Sequence, residues 1–289
     1  MNSKKHTLNI QAHRIFGNES AANSEQSFTK AIASGIKSIE TDVFLSRDGV
    51  MISIHGDDEN GSCEVRLKDR LDAPWQHLII GDLTAKEIDG LTYRHSEGHN
   101  ILRLEQIIDA FKDSDIVINV EIKDFDPKIT GMVVDAFNNA GMIDRLFVSS
   151  FFHYHRKHLR QYLEMKNLPH VAFGFLSYSI YHLASDEVMM QTMPGDSITV
   201  SQAGLRLHIG GYPDLFKKVK DRGLKMNVWF DGLNSATLET LFNYKSLADL
   251  GIDTIITNYP SKALEYQKLI QAESDNSHTN NLVSAPLLS

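Results

Sequence analysis

One cysteine, Cys63, is all that the 289-residue chain contains. No internal disulfide is possible, and nothing in the composition asks for an oxidising compartment. Long apolar runs are missing too. The greasiest stretch, VAFGFLSYSIYHLA at 171–184, is interrupted by polar residues and is well short of the roughly 20 residues that a membrane span needs. The first residues, MNSKKHTLNIQAH, carry charge but no apolar core, so no secretory signal is visible. These absences predict a cytoplasmic protein without a membrane span. A basic surplus is also lacking: 37 acidic against 29 basic side chains give a net charge of −8, a poor balance for general nucleic-acid binding. The chain has no glycine-rich phosphate loop, no G-x-S-x-G elbow and no CxxC pair. Those gaps argue against nucleotide, serine-hydrolase and structural-zinc readings. There is no internal repeat, and the oligomeric state is not legible.

What is present is a succession of short β-rich runs. They are LNIQA (8–12), SIETDVFL (38–45), VMISIH (50–55), IVINVEIK (116–123), LFVSSF (146–151), HVAFGF (170–175), SITVSQ (197–202), KMNVWF (225–230) and TIITNY (254–259). Most are separated by helix-like segments. SEQSFTKAIASG (24–35) has Ser24 as a cap and Gly35 as a stop. RLEQIIDAFKDS, KITGMVVDAFNNAG, YPDLFKKVKDRG and SATLETLFNYKSLADLG behave similarly. Strands alternating with helices predict a parallel sheet. Only SRDG (46–49) joins the second and third runs, too short for a parallel crossover and suited to a hairpin. Nine runs less one hairpin arm leave eight parallel strands. The expected fold is a (β/α)8 barrel, with a doubly wound open sheet as the alternative. Residues 1–7 read as an N-terminal lead, 8–268 as the barrel domain, and the polar segment 269–289 as a disordered tail.

Active residues of such a barrel gather at the carboxyl ends of the strands. Glu40 and Asp42 stand two apart on one strand, so both face the same way. Two neighbouring carboxylates repel and are costly to bury, so something positive belongs between them. With Glu121 they form a trio suited to a hard divalent cation such as Mg²⁺ or Ca²⁺; ion pairing with Arg14 and Lys123 is the other reading. Hairpin pairing with residue numbers summing to 95 sets His55 opposite Glu40. His13 and Arg14 follow the first strand directly: an imidazole able to move protons near neutrality and a guanidinium able to hold phosphate bidentately. A capped strand end with a surface arginine is the plainer alternative. Lys123 either neutralises Glu121 or steadies phosphoryl charge. Trp229 reads as a substrate wall or a core residue. HYHRKH (153–158) reads as a solvated helix start.

These residues resemble a known family. AHR (12–14), IETDVFLSRDGVMISIH (39–55), NVEIK (119–123), VSSF (148–151), VWF (228–230) and GIDTIITNYP (251–260) look like the glycerophosphodiester phosphodiesterases, in the right order from about residue 8 to 268. The resemblance implies a TIM barrel with a small insertion at about 56–100. It implies a small-molecule glycerophosphodiester substrate, hydrolysed to glycerol 3-phosphate and an alcohol. It also implies His13 and His55 as acid and base, Glu40, Asp42 and Glu121 as metal ligands, and Arg14 and Lys123 as phosphate contacts. Three positions depart from the family pattern. Its P-E-N-T is Ala21-Ala22-Asn23-Ser24 here, the aspartate after the second histidine is Gly56, and the glycine after H-R is Ile15. Glu19 and Asp57 are the neighbouring acids that can substitute. Rival expectations are a lysophospholipid or cyclic-phosphate-forming phosphodiesterase, and a barrel that has lost turnover.

Overall fold

Ile118, Val120 and Ile122 alternate with Asn119 and Glu121, and that two-residue period organises the molecule. In the computed structural model, which describes residues 8–283 apart from 59, 71, 97, 207–212 and 231–234, the strands in chain order are as follows: β1 Asn9–Ala12, β2 Ser38–Leu45, β3 Met51–Ser53, β4 Ser62–Leu67, β5 Gln76–Ile79, β6 Leu91–Tyr93, β7 Leu102–Arg103, β8 Val117–Ile122, β9 Leu146–Ser150, β10 Phe173–Ser177, β11 Ser197–Ser201, β12 Lys225–Trp229 and β13 Thr254–Thr257. Among the described residues, β1, β2 and β8 to β13 are parallel. The pairing of β1 with both β13 and β2 closes them into an eight-stranded barrel. The open-sheet alternative is thereby excluded.

The outward residues of the strands, Ile118, Val120 and Val148 among them, join the main core with helices α1 Glu25–Ser34, α3 Leu104–Phe111 and α4 Lys128–Asn139. The inward ones on β1, β2 and β8 are mostly polar. Asn119 Nδ2 donates to Gln11 Oε1 at 3.1 Å, Ser149 Oγ donates to Asn119 Oδ1 at 2.9 Å, and Gln11 Nε2 donates to Ser38 Oγ at 2.7 Å. This chain of amides and hydroxyls forms a satisfied floor beneath the barrel mouth.

β2 is twice as long as β1 and outruns it. Its residues 38–43 pair with β8 and Ile39 with β1, and from Val43 on it bonds β3 antiparallel. The hairpin register differs from expectation: Val43↔Ser53, Phe44↔Ile52 and Leu45↔Met51 all sum to 96. The cause is local. Ser46 N donates to Val50 O at 2.9 Å, leaving a three-residue loop, Arg47-Asp48-Gly49, with Gly49 at φ +79°. Such a loop wants its last residue left-handed. His55 therefore does not pair with Glu40; it lies beyond the end of β3.

Between the hairpin and β7, the antiparallel sheet β5-β4-β6 and helix α2 Ala85–Asp89 pack a second small core around Phe44, Ile52, Cys63, Val65, Ile88 and Leu91. Burial pushes the Cys63 thiol up to about 12, which leaves it inert. Ile80 is buried there, and the Arg66 guanidinium lies over the Trp75 ring at 4.4 Å.

Two other segments depart from expectation. The 235–251 pattern breaks into helices Ser235–Leu238 and Leu241–Asp249, with the buried Glu239 between them. The segment read as a disordered tail continues the last helix, which spans Pro260–Val283. No glycine or proline interrupts 261–285, so nothing local stops helix propagation. Residues 1–7 and 284–289 lie outside the described residues. Among the described residues, no helix is long and apolar enough to cross a membrane.

Candidate active site

A cavity of about 700 Å³ opens at the carboxyl ends of the strands. His13, Arg14, Glu40, His55, Glu121, Lys123 and Trp229 all line it. Asp42 lies just beneath, fully buried.

The carboxylates come from two adjacent strands. Asp42 and Glu121 are direct register partners across β2 and β8, and Glu40 is one pleat below Asp42. One oxygen of each lies within 4.8 Å of the others. Lys123 Nζ is 3.1 Å from Asp42 Oδ1 and 3.7 Å from Glu121 Oε1. Glu40 Oε2 accepts from Arg14 N at 2.9 Å. One ammonium does not balance three buried acids. Burial and the charges of Asp42 and Glu121 push Glu40 up, and burial together with Asp42 raises Glu121 to about 7. Burial acts to raise Asp42 as well, but Lys123 and His55 override it and hold Asp42 below the usual carboxylate range. Glu40 Oε1 and Asp42 Oδ2 have no hydrogen-bond donor, and Asp42 Oδ1 and Glu121 Oε1 share the single Lys123 ammonium. Oxygens from three carboxylates within 4.8 Å of one another fit a hard divalent cation. Glu40, Asp42 and Glu121 would hold it.

The two imidazoles are presented alike. His13 Nδ1 is 2.7 Å from Asn258 Oδ1, and Asn258 Nδ2 donates to Phe230 O. The amide oxygen therefore faces the ring, and the His13 proton sits on Nδ1. His55 Nδ1 is 2.6 Å from Gly56 O, an acceptor only, which puts its proton on Nδ1 too. Both Nε2 atoms keep free lone pairs. The rings face edge to face across 6.0 Å. Burial and the nearby Arg14 charge lower His13 to about 4, and burial likewise lowers His55 well below its ordinary value. Both are neutral at pH 7.

A tight loop aims His13. Arg14 and Ile15 adopt φ +50° and +72°, a left-handed conformation that costs a branched residue roughly 1–3 kcal/mol. It is held by Ile15 N donating to Glu40 O at 2.7 Å and by Gly17 N donating to His13 O at 2.6 Å. A Cβ on Gly17 would collide with the Asn258 carbonyl. The Ile15 departure thus falls at a position whose backbone suits glycine.

Glu239 accepts from Asn258 N at 3.0 Å and from Tyr244 OH at 2.9 Å. It thereby anchors the residue that orients His13. Nothing in local sequence marks Glu239. Asn258 has one signal, its place at the carboxyl end of a strand. Of the two acids near the departures, Glu19 accepts from Ser261 N, at the start of the last helix, and does not line the cavity; Asp57 does.

On the opposite side, Trp229 stands edge-on to Phe151 and Tyr178 at 5.8 and 5.6 Å, and those two stack at 5.3 Å. The insertion's apolar group, Trp75, Leu78, Ile79 and Ile80, is not among the lining residues. HYHRKH is not a solvated start. His155 is buried between Thr130 Oγ1 and Asp124 O, and buried Arg156 pairs with Asp196 at 2.9 Å. Those partners are distant in sequence, so only folding reveals them.

The family model for the glycerophosphoryl diester phosphodiesterase family matches residues 13–262. A glycerophosphodiester phosphodiesterase of Bacillus altitudinis is 24% identical over 265 residues, covering 90% of this chain and 98% of that protein. Among solved structures, a phosphodiesterase from Oleispira antarctica, captured with its product sn-glycerol 3-phosphate, superposes with a TM-score of 0.69 at 19% identity, over 90% of this chain and 96% of that one. A glycerophosphodiester phosphodiesterase from Parabacteroides distasonis does so with a TM-score of 0.66 at 22% identity, over 94% and 100%. The match spans both histidines, the three carboxylates and every barrel strand after β1, and the chain belongs to the glycerophosphoryl diester phosphodiesterase family.

Proposed function

We propose that this member of the family hydrolyses glycerophosphodiesters to glycerol 3-phosphate and an alcohol, with His13 and His55 as the acid–base pair. The observation that carries the assignment is the matched presentation of the two rings. Each has Nδ1 tied to a carbonyl-type oxygen and Nε2 free, 6.0 Å apart by ring centroid, beside three clustered carboxylates. Nε2 of one histidine takes the proton from the attacking oxygen, either water or the neighbouring glycerol hydroxyl, in which case water then opens the resulting cyclic phosphate to glycerol 3-phosphate. The other returns a proton to the departing alcohol oxygen. A diester phosphate settling near Arg14 offsets the guanidinium charge that helps depress His13, which favours its protonated form during the reaction. Arg14 and Lys123 hold the phosphate oxygens, and Trp229 forms a wall for one arm of the substrate. A divalent cation held by Glu40, Asp42 and Glu121 would supply neutralisation of the phosphate and polarisation of its P–O bond.

The test is release of glycerol 3-phosphate from glycerophosphocholine with Mg²⁺ or Ca²⁺, and again with EDTA. Release that EDTA abolishes and either metal restores supports the reading and ranks the two ions. Release unaffected by EDTA removes the metal assignment. No release from folded protein that cleaves lysophospholipid transfers the activity to the larger substrate.

A further inference from the structure

We propose that Asp57 and His95, braced by Tyr93, form the subsite for the hydroxyl-bearing arm of the substrate. The insertion would then be the element that selects glycerophosphodiesters. The inference rests on the reaction proposed above.

Directly after His55 the chain turns at Gly56, φ +73°, and Asp57 is pinned by its own N–H donating to Ser62 O at 2.6 Å. Its side chain is fixed at both oxygens. Oδ2 accepts from Glu64 N at 2.8 Å, and Oδ1 accepts from Tyr93 OH at 3.0 Å. His95 Nε2 stands 3.6 Å from the same Oδ1, and its ring meets Tyr93 edge-on at 5.1 Å. Asp57, Tyr93 and His95 line the cavity together with His13, Arg14 and His55. Tyr93 is buried and spends its hydroxyl on Asp57, so it positions the carboxylate. Asp57 is about a quarter exposed and His95 about half. A carboxylate offers about four acceptor sites, of which two are used here. The remaining ones and the imidazole suit a pair of alcohol O–H groups.

The group is tied to the phosphate end. Ala22 N donates to His95 O at 3.2 Å, and the next residue, Asn23, donates its N–H to Arg14 O at 3.2 Å. The subsite and the guanidinium thus share one loop. The far wall, with Phe151, Leu176 and Trp229, presents mainly apolar surface to glycerol hydroxyls. A site built to hydrogen-bond hydroxyls discriminates strongly against ligands that lack them.

The experiment compares His95→Ala and His95→Gln with the wild-type full chain. It reads kcat and KM for glycerophosphocholine and inhibition constants for glycerol 3-phosphate and for inorganic phosphate. For His95→Ala we expect KM and the glycerol 3-phosphate inhibition constant to rise about tenfold, with the phosphate constant within about twofold of wild type and partial recovery in His95→Gln. Equal weakening of both inhibitors would overturn the proposal by placing His95 behind Arg14 and phosphate. Unchanged constants in His95→Ala would overturn it by removing the contact. Asp57→Asn provides a second reading of the same two constants if His95→Ala does not fold. A wild-type enzyme that releases no glycerol 3-phosphate sinks the parent reading, whatever the variants do.

Discussion

On the β1, β2 and β8 side of the cavity, side chains are held by charge and hydrogen bonds. On the β9, β10 and β12 side, Phe151, Tyr178 and Trp229 pack ring against ring. The first side carries buried ionisable groups whose protonation depends on one another. The second carries none within its ring cluster. The difference suggests a division of labour, in which reaction chemistry belongs to a rigid charged rim and one arm of the substrate to an apolar rim that makes few directional demands.

The largest expected break in that comparison is at the histidines. His13→Ala or His55→Ala should lower kcat by roughly 10²–10⁴ with little change in thermal stability. An unchanged rate in either variant would remove that residue from the acid–base pair.

The charged rim should also answer to pH and metal where the aromatic rim does not. Glu121 is raised to about 7 from 4.5. Its contribution to stability is complete below the unfolded value and is lost as pH climbs through about 7. His13, lowered to about 4 from 6.5, acts oppositely, and its contribution is complete only above about pH 6.5. The two partly offset each other, so metal-free protein should lose only about 1–2 °C of Tm between pH 6.5 and 8. Added Mg²⁺ or Ca²⁺ should restore more at pH 8 than at pH 6, because binding needs the deprotonated trio. A Tm gain from metal that is the same at both pH values would contradict this.

The smallest effect belongs to the other rim. Trp229→Ala should raise KM a few-fold, leave kcat within about threefold, and leave the metal response of Tm intact. A large fall in kcat would mean that the aromatic rim helps place the reacting phosphate.

Much of this was legible before folding. The strand–helix alternation predicts the barrel, and the i, i+2 spacing of Glu40 and Asp42 places both on one face. Glu121 reaches them by strand order, as the register Asp42↔Glu121 requires. What sequence misplaced depended on partners far along the chain or on a loop one residue different from its simplest form. The SRDG turn closes on Ser46 and Val50, which shifts the hairpin to 96. His155 and Arg156 are buried because Thr130, Asp124 and Asp196 come to them. Glu239 interrupts a helical pattern in order to hold Asn258.

By itself, the sequence determined the class of fold from its periodicity, and it brought the acid trio and the two histidines forward as candidates from residue types at strand ends and from the family resemblance. The tertiary structure alone decided which ring nitrogens are free, which carboxylate oxygens are left without donors and which neighbouring acid, Asp57 rather than Glu19, reaches the cavity. Tautomer, desolvation and facing are properties of what surrounds a side chain. In this barrel those surroundings are assembled from residues as far apart as His13 and Asn258.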